Sequence, residues 1–515
     1  MVDELVYNKI YKVVRDISIM KILLIRPPHL DVDSLPPTAV GIPLGILSVA
    51  AYLEKKGHEV KIFDSLLYLD EVKDETHFGA SFERIGSIVK EFKPEVIGVA
   101  NLFSTQIKKA LGFTEYIKSV YPNAKIVVGG PHATARPEEF LISPNIDLVV
   151  IGEGEITLSS IIDYYKDKID ISEVKGIAYM KDGKIQIQKP EYIQDLDSIP
   201  YPAYHLIDLE RYFELAMKGK GSRFYDIFYE PKREITMITS RGCPYECIFC
   251  SIHPTMGYKF RYQSPEYVVG HIEFLIKKYG VDFIHFEDDN LTLNQLRFEK
   301  ILDMVIEKYL KFGWDTPNGV RADSLSLNLL EKAKRTGVRE LRVAIESGNE
   351  EFLNKVVKKR LKLEKVIETA RNCKKLKIPL SAFYIIGFPG ETKENIQQTL
   401  DYAYNMMRKY HVKPNINFAM PLVGTEMYDI AKEKGYLINE DYTSGRMFGM
   451  SPIKTEYFTP EDLKKFSVDF YKRVRNLYLV QMIQDPIRLL RNIKVFLKYP
   501  RNTIRMAKIT AKYIK

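Results

Sequence analysis

"SRGCPYECIFCS", residues Ser240–Ser251, gathers three of the four cysteines of the chain into eight positions. Cys243, Cys247 and Cys250 are spaced C-x3-C-x2-C. Three thiols are one too many for a disulfide and one too few to saturate a tetrahedral metal. The stretch follows the β-rich run "EITMIT" and opens an alternating series. Its later strand candidates are "VDFIHFEDD", "DTPNGVRAD", "VRELRVAIESG", "IPLSAFYIIGFPG" and "KPNINFAMP", separated by amphipathic stretches such as "SPEYVVGHIEFLIKKYG". Six βα units predict a full or partial (βα)6-type barrel over residues 236–431, with function on the loops after the strands.

Outward toward the N-terminus, a second alternation begins at Met20. The runs "MKILLIRPP", "HEVKIFD", "PEVIGVANL", "AKIVVGGPHAT" and "IDLVVIGEGE" alternate with helical patterns. They predict an α/β, doubly wound parallel sheet over 20–165, whose ligands sit beyond the carboxyl ends of the strands. Residues 166–235 read as a linker with a hairpin around Asp182-Gly183. Residues 1–19 form an expected helical extension, and 432–515 an expected helical C-terminal domain.

No apolar run in the 515 residues reaches the roughly 18–20 positions of a membrane span, and the charged start lacks the apolar core of a signal peptide. With so few cysteines a disulfide scaffold is excluded, and a reducing cytoplasm is the expected compartment. The formal charge of +9 is uneven: from Tyr471 to Lys515 twelve Lys or Arg stand against one acid, Asp485. The basicity therefore belongs to the tail and says nothing of the catalytic body.

One reading of the cysteine stretch is structural zinc with His253 as fourth ligand. The better reading is a [4Fe–4S] cluster, three irons held by cysteine and the fourth left open for a substrate. Cys373, in "IETARNCKKLK", lies on a predicted amphipathic helix and reads as a free structural thiol. No cysteines remain for an auxiliary cluster.

C-x3-C-x2-C with an aromatic, Phe249, before the last cysteine resembles the signature of the radical SAM superfamily. The resemblance implies that the open iron binds the amino and carboxylate groups of S-adenosylmethionine. Reductive cleavage then yields a 5′-deoxyadenosyl radical that abstracts hydrogen from an unactivated carbon. It also implies an electron donor such as ferredoxin or flavodoxin. Further motifs stand at the expected strand ends. "FEDDN" places Glu287 and Asp288 where the family grips the methionine amino group. "VRAD" brings Arg321, and "IESG" brings Glu346 and Ser347 to the ribose or carboxylate. "YIIGFPGET" resembles the family's adenine-side pattern through Ile385, Gly387 and Glu391, with Phe383 where a glycine is usual.

A doubly wound domain ahead of such a barrel resembles the cobalamin (B12)-binding subgroup. The resemblance assigns Ser104 and Thr105 in "NLFSTQ", Gly129, Gly130, His132, Ala133 and Thr134 in "GGPHAT", and Gly152 and Glu153 in "GEGE" to the cofactor. The D-x-H-x-x-G motif of methionine-synthase-type domains is absent. "ETHFG" (Glu75–Gly79) misses it in acid, spacing and loop, so cobalt is expected without a histidine from that motif. His132 reads as a hydrogen-bond partner before it reads as a cobalt ligand.

The expected function is thus a radical enzyme that methylates, or forms a C–C bond at, an unactivated carbon. The tail "DPIRLLRNIKVFLKYPRNTIRMAKITAKYIK" sets Ile487, Leu490, Ile493 and Leu497 beside Arg488, Arg491, Lys494 and Lys498. That pattern suits peripheral association with a membrane, and with it a lipid or isoprenoid substrate. The alternative is a cobalamin-dependent C-methyltransferase of a peptide, protein or small molecule. A non-catalytic B12-binding sensor is a lesser one. No nucleic acid partner is expected, since the tail has few aromatics to stack bases.

Overall fold

The computed structural model describes residues 19–28, 40–68, 79–220, 232–439, 441, 451–484, 486–500 and 503–504. Apart from their last residues, the N-terminal extension and the Glu75–Gly79 stretch lie outside these, as does the tail beyond 504. The chain divides into two compact units, the first holding residues up to 30, 43–193 and 198–209, the second 31–42, 194–197 and those from 210 onward.

The first unit is built on strands β1 (Lys21–Arg26), β2 (Glu59–Asp64), β3 (Val96–Ala100), β4 (Lys125–Gly129) and β5 (Leu148–Val150), all parallel, in the order β2-β1-β3-β4-β5. Their near-continuous apolar runs suit a sheet covered on both faces: Leu23, Ile25, Ile97, Val99, Ile126, Val128 and Val149 are buried on one side and Ile22, Leu24, Val96, Val127, Leu148 and Val150 on the other. The crossovers are helices α1 (Leu44–Lys55), α2 (Phe82–Phe92) and α3 (Ile107–Val120) and, between β4 and β5, two short helices; α4 (Gly154–Tyr165) follows β5. The hairpin expected in a linker instead extends this sheet. Strands β6 (Ile177–Lys181) and β7 (Lys184–Gln188) follow antiparallel, β6 pairing with β5 through Val149 and Ala178. Asp182 and Gly183 turn it with φ of 50° and 72°, the left-handed pair a two-residue hairpin requires. Ile177 and Ala178 are fully buried, so β6 belongs to the core that β5 would otherwise leave open.

In the second unit β8 (Glu234–Met237), β9 (Phe283–Phe286), β10 (Gly313–Asp315), β11 (Val338–Glu346), β12 (Leu380–Ile386) and β13 (Lys413–Phe418) pair in parallel and in sequence. Among the described residues β8 and β13 are the two edges, so the barrel is partial. Helices α5 (Pro265–Tyr279), α6 (Gln295–Glu307), α7 (Leu327–Arg335), α8 (Leu363–Leu376) and α9 (Lys393–Tyr410) return the chain. Ser264, Asn294, Ser326 and Thr392 cap α5, α6, α7 and α9 by accepting a first-turn N–H. Phe286, Phe298 and Trp314 pack edge to face, which fixes the apolar side of β9 and β10 against α6.

Two expectations change. The third strand stops at Asp315, because Pro317 cannot donate to the ladder; Val320 touches Val343 through a lone bridge, and the Val320–Asp323 motif follows a turn rather than a strand end. The chain beyond 432 is not wholly helical: Leu437 and Ile453 form an antiparallel bridge before α10 (Pro460–Gln484) and α11 (Pro486–Lys498). The hydroxyl of Tyr471 on α10 accepts the N–H of Ile416 at 3.0 Å, on edge strand β13, and Gln481 Nε2 donates to the carbonyl of Met407. Cys373 is buried on α8. No helix among the described residues is long and apolar enough to cross a membrane.

Gly130 joins β4 to its loop with φ 118°, and a Cβ there would overlap the backbone oxygen of Asn101. The glycine is therefore dictated by the backbone. Gly130→Ala is expected to destabilise the first unit by about 3 kcal/mol or more, while Gly129→Ala should be nearly neutral. Urea unfolding of the two variants checks this; equal stability of both would refute it.

Candidate active site

The cysteine loop leaves β8 and runs into the short helix Ile252–Met256. Gly242 enters it at φ 81°, where a side chain would collide with the carbonyl of Lys259. The N–H of Cys250 bonds the carbonyl of Cys247, and Asn290 Nδ2 stands 3.7 Å from Cys243 Sγ. Burial pushes the Cys250 thiol up to about 12; burial also raises Cys247, against the pull of Lys359. A cleft lined by Cys247, Cys250, Ile248, Tyr258 and Thr425 opens beside two of the three cysteines, Cys243 lying outside its lining. His253 is not turned to metal: its Nε2 donates to the carbonyl of Cys243 at 3.1 Å, and its ring stacks on Tyr258 at 4.0 Å. Three soft thiols on one loop, with open space beside Cys247 and Cys250, suit by their chemistry an iron–sulfur cluster with one iron left open.

Several residues assigned to the cofactor turn out to hold that loop. Asp288, 2% exposed, accepts from Thr239 N, Thr239 Oγ1 and Ser240 Oγ, locking the end of β9 to the approach of the cysteines. The next residue, Asp289, is pushed up to about 7 by burial and by Asp288. Phe249 packs on Phe388, 5.8 Å between ring centres, joining the loop to the turn after β12. Arg321 donates to both oxygens of Asp323 and to the carbonyls of Lys359 and Arg360, and lies 3.7 Å over the ring of Tyr245. Its donors are spent on the chain, so it positions rather than binds. Ser347, fully buried, pairs with Thr399 Oγ1 at 3.0 Å and braces α9.

Glu346 and Glu287 are placed differently. Glu346, at φ 71°, receives the ammonium of Lys359 at 2.8 Å, both side chains being under a tenth exposed. Burial opposes the charge of Lys359, but Glu346 and Cys247 outweigh it and raise its pKa. Lys359 also lies 6.0 Å from the Phe249 ring. Glu287 accepts from Thr236 Oγ1 at 3.3 Å, and burial raises its carboxyl. Below it His285 Nδ1 hydrogen-bonds Asp315 at 2.7 Å, and its Nε2 lies 3.3 Å from Glu234; burial resists its charge, yet the carboxylates push it up to about 9. After β12, Glu391 Oε2 accepts the N–H groups of Gly387 and Phe388, at 2.6 and 3.0 Å, and burial lifts it to about 8. Gly387, at φ 89°, holds a backbone state that favours glycine, and Leu463 of α10 packs against it.

In the first unit the loops after β3, β4 and β5 are tied together. Ser104 Oγ lies 3.0 Å from His132 Nδ1, and His132 Nε2 lies 3.1 Å from Glu139 Oε2. Both ring nitrogens are thus engaged, and burial lowers the pKa of the histidine; the geometry is that of a hydrogen-bond relay, not of a cobalt ligand. Thr134 Oγ1 accepts from Gly152 N at 3.0 Å, and Glu153 accepts from Ile193 N at 2.7 Å, so Glu153 serves its own backbone. Ala133 is fully buried, and Thr105 sits half-buried in the turn Ser104–Gln106. At the head of these loops Asn101 is fully buried with neither atom of its amide hydrogen-bonded, while the adjoining Leu102 and Phe103 are 40% and 56% exposed. An orphaned amide beside exposed apolar side chains fits a large ligand with both amide and apolar surfaces, as cobalamin has.

Lys359, Asn101, Glu139 and His285 were not marked by the sequence. Lys359 sits in "KKR", which reads as a solvated charge run; only the need for a cation beside the cysteine loop could have singled it out.

These observations define a class, an iron–sulfur enzyme with a corrinoid-type domain, and the comparisons name it. Residues 237–403 match the radical SAM superfamily model and 36–162 the B12 binding domain. The chain is 31% identical over 434 residues to the cytidylyl-2-hydroxyethylphosphonate methyltransferase of Streptomyces wedmorensis, covering 78% of this chain and 79% of that protein. An uncharacterized methyltransferase of Pyrococcus horikoshii, PH0819, is 29% identical over 467 residues, 89% of this chain and 94% of its own. The fold is similar to the cobalamin-dependent S-adenosylmethionine radical enzyme OxsB with aqua-cobalamin bound: TM-score 0.69 and 18% identity over 93% of this chain and 72% of that one. The chain belongs to the cobalamin-dependent radical SAM enzymes. Its cofactors are a [4Fe–4S] cluster, S-adenosylmethionine and cobalamin.

Two measurements probe the site. Lys359→Met leaves Glu346 buried without its cation and should cost about 3–5 kcal/mol in chemical denaturation, much of it recovered in Lys359→Met/Glu346→Gln. An additive double variant would refute the pair. Glu391 retains its proton in the fold up to pH about 8, whereas the unfolded chain loses it near about 4.3. Between those values folding stability falls as pH rises, then levels. Glu391→Gln should remove that decline, so its stability relative to the parent rises across the window; a constant difference would count against the buried carboxyl.

Proposed function

We propose that this enzyme transfers a methyl group to an unactivated carbon of a polar small molecule. The match over four fifths of a methyltransferase that acts on a nucleotidyl phosphonate, by its name, carries the reaction class. The polar inner face of the barrel supports the substrate class. With Phe286 and Trp314 packed on Phe298 of α6, strand alternation turns Glu234 and Thr236 of β8, His285 of β9 and Asp315 of β10 inward, where His285 pairs with Glu234 and Asp315, and Thr236 bonds Glu287. Glu340 and Arg342 follow on β11, 3.3 Å apart and about a fifth exposed. An alkyl chain entering there would desolvate charge without repaying it. The lipid or isoprenoid substrate expected from the tail therefore gives way to the methyl-transfer alternative.

When bound, the three groups supply a methyl donor, an electron sink and source, and a strong hydrogen-abstracting agent. The residues of the chain do the rest. Asp288, Arg321 and Phe249 hold the cysteine loop against three strand ends. Lys359 sets a positive charge beside Cys247 that favours its ionised form, partly offset by Glu346. Glu391 shapes the backbone turn at Gly387 and Phe388. An outside electron donor such as ferredoxin or flavodoxin completes the reading.

Anaerobic reconstitution, extraction of any bound small molecule, and incubation with methyl-labelled S-adenosylmethionine and polar acceptors test it. Label should pass to the acceptor with release of 5′-deoxyadenosine and S-adenosylhomocysteine, and Cys250→Ala should abolish both. Release of 5′-deoxyadenosine with a coupled or cyclised product and no transferred label would replace methylation by C–C bond formation.

A further inference from the structure

The last helix turns the wrong side outward. On α11 the inward positions are Asn492 and Val495, 4% and 7% exposed. Its large apolar residues look the other way: Leu490, Ile493, Phe496 and Leu497 are 66%, 45%, 41% and 71% exposed. At 100° per residue Leu490, Ile493 and Leu497 share one face, with Phe496 on its shoulder. Ile483, at the end of α10 and 69% exposed, and Ile504, 48% exposed, bracket the same stretch. A helix packed on a soluble body shows the opposite pattern, apolar stripe in and polar side out. Single exposed leucines are ordinary; a contiguous face of four on one helix is not.

The charges say what covers that face. Lys494 and Lys498 are exposed along one flank of the apolar stripe, and the sequence adds Arg491 between them and the helix start. Within residues 471–515 twelve cations stand against the single acid Asp485. A second copy laid on this helix would bring cation against cation. An anionic lipid surface answers both features at once: the apolar side chains enter the headgroup boundary, and the lysines and arginines meet the phosphates. We infer that α11 is a membrane-surface anchor that lies in the interface of an anionic bilayer, with Leu490, Ile493, Phe496 and Leu497 inserted. The anchoring does not rest on the methyl-transfer reading, because it requires neither cluster nor substrate.

The full chain is incubated with vesicles of equal parts phosphatidylcholine and phosphatidylglycerol, or of phosphatidylcholine alone, and sedimented. It should pellet with the anionic vesicles at low salt and be released at high salt. Leu490→Glu/Leu497→Glu alters only exposed positions and should lower the partition coefficient by about tenfold or more. Lys494→Glu/Lys498→Glu should remove most of the difference between the two lipid compositions. Circular dichroism and thermal unfolding matched to the parent show that neither variant has lost its fold. Unchanged sedimentation of the Leu490→Glu/Leu497→Glu variant, or no binding by the parent at low salt, overturns the inference. A dimer in lipid-free solution that this variant dissociates, without vesicle binding, assigns the face to a second copy instead.

Discussion

A lysine that water cannot reach organises the second unit. Lys359 is held inside by flanking residues in an unfavourable backbone state: Lys358 and Arg360 have φ of 59° and 53°, and its partner Glu346 has 71°. Each left-handed non-glycine residue costs on the order of 1–2 kcal/mol. That strain is offset by the Arg321 guanidinium, which takes both carbonyls of the kinked segment, and by the ion pair itself. The arrangement joins four loops: the cysteine loop through Tyr245, the turn after β10 through Arg321, the end of β11 through Glu346, and the segment that carries the lysine. Remove the lysine and a buried carboxylate is left alone next to Cys247.

The sheet of the first unit, the six-strand series of the second and the cysteine loop were all legible, because each rests on periodicity or spacing that local sequence carries. The roles of individual motif residues were less so. Asp288, Arg321, Ser347 and Glu153 stand where the family pattern places cofactor contacts, yet each is bonded to its own chain. A motif marks where a side chain starts; which of several nearby donors or acceptors it takes depends on loops brought in from elsewhere, Thr239 for Asp288 and Thr399 for Ser347. The hairpin at Asp182-Gly183 was visible as a turn, but its membership of the first sheet depends on the open edge of β5, a partner some thirty residues away.

The first unit shows how a binding surface is stiffened before its ligand arrives. Its three loops exchange bonds through Ser104, His132, Glu139, Thr134 and Gly152. Ordering those loops in advance lowers the entropy that a large, many-contact ligand would otherwise lose on binding. The neutral His132 also keeps a positive charge away from that surface.

The contact between Tyr471 and Ile416 bears on how the chain behaves when cut or partly unfolded. Strand β13 is the last of an open sheet, and such an edge pairs readily with other chains. The tyrosine occupies one of its donors, and α10 comes with it. The helices after the barrel are in this sense a lid against strand addition: a chain ending before Pro460 would keep its cysteines, but it would lose Leu463 from beside Gly387 and leave the edge of β13 open to intermolecular β-pairing.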